Sequence, residues 1–216
     1  MVSGMTENDK PMRIGELLIL AALWMLFGFM LWYYLSSLHG IPVRLLSEHA
    51  LRWVLGDKLY NIIPNPDHHY LFQVQTRIMF TFKDGSRDAL GFIVNPLVYG
   101  YGLPLLFGLI MATSQRLRRK LAILACGYVV ILLAQVWGVF WQSLKMLSFN
   151  FGHEAHDVVA AAGINDTAIA LCYQLGVLII PPLAPVIVWV LGSWREVERF
   201  IQRPYGLGAG PGNPEP

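Results

Sequence analysis

The densest run of side chains able to do chemistry is Gly152-His153-Glu154-Ala155-His156-Asp157. Imidazole and carboxylate are ligands that zinc accepts, and a metal held by His153, Glu154, His156 and Asp157 would activate water for hydrolysis. The spacing departs from the zincin motif, which sets two residues between Glu and the second His so that both rings share a helical face. His153 and His156 are three apart and still share one, and His68-His69 are free to approach across space. The competing reading is a solvated polar loop. A second set of polar groups lies in apolar surroundings: Asn95, Tyr99, Tyr101, Gln135, Gln142, Tyr173 and Gln174. Amides and phenols in hydrocarbon are costly unless paired, so these are expected to face one another inside a helical bundle. Two readings stand for them: polar ties between helices, or a groove open to one side that holds a peptide, a lipid or a partner helix.

The two cysteines, Cys126 and Cys172, sit inside long apolar runs, which argues against a disulfide framework or a thiolate metal site. Serine-hydrolase and phosphate-loop patterns are missing, and the glycines from Gly206 to Gly212 lie in a proline-containing tail rather than between strand and helix. No cofactor is implied.

The elements that must position these groups are long and apolar. Of 216 residues, 55% are hydrophobic and only 14% charged, against roughly 25% charged in an average soluble domain. The net charge of +2 gives no reason to expect nucleic acid. Lipid is the expected solvent for much of the surface. Residues 1–16 are polar and carry Lys10 and Arg13; residues 17–35 then run without a charge and end in Trp32, Tyr33 and Tyr34, an interfacial aromatic belt. Without an A-x-A-like site after Leu35, this run is expected to be an uncleaved anchor. Residues 96–192 hold three more expected spans, from Pro96 to Ala112, from Leu121 to about Leu144, and from Thr167 to Leu191. Arg116, Arg118, Arg119 and Lys120, with no acid between Ser114 and Lys120, place the second connection in the cytoplasm by the positive-inside rule. The connection from Ser148 to Asp166 has acids and no Lys or Arg, which suits the outside. Arg195, Arg199 and Arg203 put residues 193–216 back in the cytoplasm, with a disordered Gly- and Pro-rich end.

Residues 36–95 form the outward insertion. Pro42 to Ile63 read as a helix whose Arg44, Glu48 and Arg52 recur every four residues, lying on the membrane surface or packed on its own small domain. Pro64-Asn65-Pro66-Asp67 breaks it. Phe72, Val74, Thr76, Ile78, Phe80 and Phe82 alternate along a strand, Lys83-Asp84-Gly85-Ser86 makes a tight turn, and Arg87 to Val94 returns. The expected fold is therefore mainly α: a polytopic membrane protein with about four transmembrane helices, plus an outward-facing helix and β-hairpin between the first two.

The run Asn95-Pro96-Leu97-Val98-Tyr99-Gly100-Tyr101-Gly102-Leu103-Pro104 resembles the hallmark of exosortase H-associated membrane proteins. Gln135-Val136-Trp137-Gly138, Tyr173-Gln174-Leu175-Gly176 and Pro182-Leu183-Ala184-Pro185 fit the same resemblance. It implies a bacterial inner-membrane accessory protein, not itself an enzyme, beside an exosortase-like enzyme that processes tagged exported proteins. The implied partners are the lipid bilayer, that enzyme and the tagged protein. The family brings no catalytic residues to transfer, and the exosortase Cys, Arg and His pattern does not map here. Two other functions compete: a small transporter or solute-binding membrane subunit, motivated by kinked spans and opposed by the lack of internal repeats and intramembrane charge, and the metal-dependent hydrolase.

Overall fold

The computed structural model describes residues 14–81 and 85–201. The polar N-terminal stretch with Lys10 and Arg13, Phe82 with the Lys83-Asp84 half of the hairpin turn, and the tail with Arg203 lie outside the described residues.

Helix α1 (Ile14–Tyr34) leaves Leu18, Ile19, Leu23, Leu26 and Met30 uncovered, a surface that water would penalise and lipid does not. The chain turns at Leu35 and continues at once into α2 (Ser36–Leu55). A 3-10 turn, Gly56–Lys58, follows, and Gly56, at the end of α2, opens it with φ +54. Three antiparallel strands come next, β1 (Leu59–Pro64), β2 (Phe72–Thr81) and β3 (Arg87–Val94), in spatial order β1-β2-β3. The expected helix from Pro42 to Ile63 is thus corrected at both ends. It begins six residues earlier, because the anchor runs straight into it, and it stops at Leu55. Leu59-Tyr60-Asn61-Ile62-Ile63 pairs with β2, which makes a three-stranded sheet instead of a hairpin. Tertiary pairing overrode a short apolar run that periodicity alone leaves ambiguous.

The alternation along β2 is realised: Phe72, Val74, Thr76 and Ile78 all point into the core. The register slips between Gln75 and Met79, and Thr76 fills the irregularity by donating to the Leu90 carbonyl at 2.8 Å and accepting from the Ile78 amide at 3.3 Å. The proline-bounded break is an Asx turn, in which the Asn65 side-chain oxygen accepts from the amides of Asp67 and His68 at 3.0 Å each.

The edge of β1 is clasped by α2. Arg44 donates to the Ile62 carbonyl at 2.7 Å, Glu48 accepts from the Ile62 amide at 3.3 Å, and Arg52 donates to the Tyr60 carbonyl at 3.0 Å. Arg52 and Glu48 also form the expected i,i+4 ion pair at 2.8 Å. One face of α2 (Val43, Ser47, Leu51, Leu55) is buried, while Leu45, Leu46 and Trp53 are exposed on the others.

Beyond the sheet, a 3-10 turn (Pro96–Tyr99) leads into α3 (Gly102–Ala112), and α4 (Leu117–Phe149) follows. Helix α5 (His153–Ala161) crosses the next connection. Helix α6 (Asp166–Gln174), a π-helical turn (Leu175–Ile179) and α7 (Ile180–Gly192) form one rod, and α8 (Trp194–Ile201) ends the described chain. Three helical stretches are long and apolar enough to cross a membrane: Gly15–Tyr34, Leu117–Phe149 and Asp166–Gly192. The expected second span is shorter than these. Its 11-residue α3 rises about 17 Å, roughly half of a hydrocarbon core.

One hydrophobic core joins the sheet to the helices. It runs from Val43 and Leu51 of α2 through Ile62, Val74 and Phe92 of the sheet to Val139 and Leu147 of α4, Val159 of α5 and Ile169 of α6. Helix α4, about 50 Å long by its 33 residues, serves both ends: its C-terminal half packs on the sheet, its N-terminal half on α3 and α7.

Candidate functional site

Where the sheet meets the bundle, a chain of buried polar groups crosses three elements. The Asn95 side-chain oxygen accepts from the Leu97 amide at 3.0 Å and so caps the 3-10 turn, with Pro96 in the first-turn position where its missing N–H costs nothing. The turn delivers Tyr99 inward, where it is 1% exposed, and its hydroxyl donates to Gln142 Oε1 of α4 at 2.9 Å. Two turns earlier on α4, Gln135 is also 1% exposed, and its amide nitrogen donates to the Pro96 carbonyl at 3.2 Å. Its carbonyl oxygen faces Nε2 of His39 on α2, and Nδ1 of His39 lies 3.2 Å from the Tyr128 hydroxyl. The amide can donate to Pro96 only if its oxygen is the acceptor, so His39 Nε2 carries the proton. A neutral ring then leaves Nδ1 to accept from Tyr128. Burial lowers the His39 pKa below its ordinary value, against an opposing pull from the Gln135 hydrogen bond, and this favours that neutral form.

Glycines let these side chains approach. A Cβ on Gly100 would overlap the Gln135 amide, and one on Gly138 would overlap the Tyr99 ring. A Cβ on Gly102 would meet the Pro181 carbonyl oxygen at 2.7 Å and Pro185 at 3.3 Å. A Cβ on Gly176, in the π-helical turn, would meet the Trp137 ring at 3.1 Å, and the Trp137 indole donates to the Cys172 carbonyl at 3.1 Å. Pro181 and Pro182 bring no amides to the turns they enter, and the ladder widens just before them. The four segments named in the sequence, around Tyr99, Gln135, Gly176 and Pro185, therefore converge.

Of the polar groups expected to gather, Asn95, Tyr99, Gln135 and Gln142 do so. Tyr101 is half-buried at the start of α3. Tyr173 stands at the edge of the set, within electrostatic reach of Tyr99 and with its ring under the Lys145 ammonium at 5.0 Å, and Gln174 is exposed. His39 and Tyr128 were missed. Their signal was faint: a histidine five residues past an aromatic belt reads as loop, and nothing local in the sequence aims it at a helix 89 residues away. Beside His39 and Tyr128 opens an apolar groove of about 280 Å³ lined by Gly28, Trp32, Pro104, Phe107 and Leu124.

The histidine-rich run lies on α5. His153 and Glu154 are exposed. His156 is taken by Asp166, the first residue of α6, at 3.2 Å, with Asp157 at 3.7 Å on its other nitrogen. The Asp166 hydrogen bond raises the His156 pKa above its ordinary value, with lesser help from Asp157. Among the described residues no group of three or more His, Cys, Asp or Glu side chains is placed to hold a metal ion. Cys126 is exposed on α4 and Cys172 is half-buried in α6.

No curated protein and no solved structure matches the chain. A family model does, over residues 11–196, and it takes in every element that builds the node. The chain belongs to the family of exosortase H-associated membrane proteins.

Proposed function

We propose that this is a non-catalytic inner-membrane accessory of an exosortase, which engages the enzyme or the tail of a tagged exported protein on the outer side. Membership of a family named for its association with exosortase H supports the partner. The observation that carries the non-catalytic part is the node itself. A reacting group must be free to meet a substrate, whereas His39, Gln135, Tyr99 and Gln142 hold one another and a backbone carbonyl. Their effect is to brace the sheet against α4, giving a partner a fixed surface rather than a pocket of chemistry. The Arg116–Lys120 cluster supports a cytoplasmic α3–α4 turn and, with it, a periplasmic α2–sheet unit and α5.

Co-purification in mild detergent tests the proposal. An exosortase or its tagged substrate should accompany the protein in stoichiometric amount, and Gly138→Leu, which forces Tyr99 out of the node, should weaken that association. If neither partner ever accompanies the wild-type protein, the proposal fails.

A further inference from the structure

At the end of the bundle away from the sheet, an open groove of about 640 Å³ runs along the surface where α4 meets α7, lined by Ala122, Ile123, Cys126, Ala184, Val188 and Gly192. That volume falls in the range of roughly 300–1,000 Å³ typical of ligand sites. The lining is apolar, and the mouth is basic. Arg118 and Arg119 lie three to four residues before Ala122, hence on the same face of α4 one turn lower, and Arg195 follows Gly192 by three residues. Arg119 donates to the Gly192 carbonyl at 2.9 Å and so ties the two helix ends together. Arg118 and Arg195 are exposed. On the acidic side, Glu198 of α8 lies nearby in sequence. Polar atoms at this end are also left over: the hydroxyl of Ser193, itself fully buried, and both polar atoms of the Gln115 amide have no hydrogen-bond partner among the described residues.

We propose that this groove seats one anionic phospholipid, with the phosphate on Arg118 and Arg195 and an acyl chain along Ala122, Cys126, Ala184 and Val188. The charge order argues for lipid. Cations sit at the level where helices leave the hydrocarbon, which is where every phospholipid carries its phosphate, and the small side chains lie deeper, where only hydrocarbon is available to fill the gap. A partner helix would need to bring its own acid to the same level.

Native mass spectrometry of the full chain, supplied with dioleoylphosphatidylglycerol or dioleoylphosphatidylcholine, tests this directly. One phosphatidylglycerol should be retained in clear preference. At about fivefold per interfacial arginine, Arg118→Gln with Arg195→Gln should cut that preference by about 25-fold without touching packed residues. Ala122→Leu with Ala184→Leu should abolish it by filling the groove. Equal retention of the two lipids overturns the proposal, as does a preference that survives groove filling in a variant that still melts cooperatively. If the filled variant fails to melt cooperatively, the arginine pair decides alone. A protein dimer that persists with phosphatidylcholine and is lost on groove filling assigns the groove to a second copy and overturns the lipid reading.

Discussion

Gly138 shows how much a single missing carbon decides. The Tyr99 ring occupies the space a Cβ would take, and that same ring places the hydroxyl that reaches Gln142. Gly138→Ala should therefore cost about 1–3 kcal/mol by overpacking, read as a lowered melting temperature in detergent. Gly15→Ala, with nothing within 4 Å of the new carbon, should leave the melt unchanged or slightly raised. His156 makes a prediction of the opposite kind, at a half-exposed site. Its folded pKa is raised, first by the Asp166 hydrogen bond, so the α5–α6 tie is complete below the ordinary value of 6.5 and lost as pH climbs through the raised folded value. Hydrogen-exchange protection across residues 153–166, corrected for intrinsic rates, should fall over that rise. In His156→Gln it should be low and flat.

Among the elements, α2 and β1 depend on each other. An edge strand exposes unpaired amides and carbonyls, and here the Arg44, Glu48 and Arg52 stripe satisfies those of Tyr60 and Ile62. The i,i+4 spacing that marks a solvated helix face thus also serves as a clasp. Arg44→Ala with Glu48→Ala should lower protection of the Leu59–Pro64 amides while that of the β2–β3 ladder stays high, since those strands pair without α2. The loss should be about 1–3 kcal/mol for the charge-assisted bonds removed. If β1 and β3 open together, the clasp is not what holds the edge. The π-helical turn is a compromise of the same order: prolines interrupt the ladder of the α6–α7 rod, and the Trp137 indole takes a carbonyl just before the interruption.

Across the whole molecule, helix α4 is the common strut, packed on the sheet at one end and against α3 and α7 at the other. A membrane-spanning strut transmits position from one side to the other, so sidedness matters. A cysteine placed at Leu117, in a Cys126→Ser, Cys172→Ser background, should resist an impermeant thiol reagent in intact spheroplasts and react once they are opened. Reaction in intact spheroplasts would invert the orientation and move the α2–sheet unit into the cytoplasm.

Features set by local chemistry were readable in residue order alone. The long charge-free runs near Leu17–Leu35, Leu121–Leu144 and Thr167–Leu191, the alternation of β2, the Asn65 turn and the basic α3–α4 connection follow from hydropathy, pleat, Asx geometry and charge, each acting over a few neighbours. Of the seven polar residues picked out by their apolar surroundings, four meet at the node. The third strand and the recruitment of His39 and Tyr128 were not readable, because each depends on a partner far along the chain: β2 for Leu59–Pro64 and α4 for His39. A strand needs a neighbour to satisfy its amides, and a buried imidazole needs acceptors and donors. Only the folded chain brings those into reach.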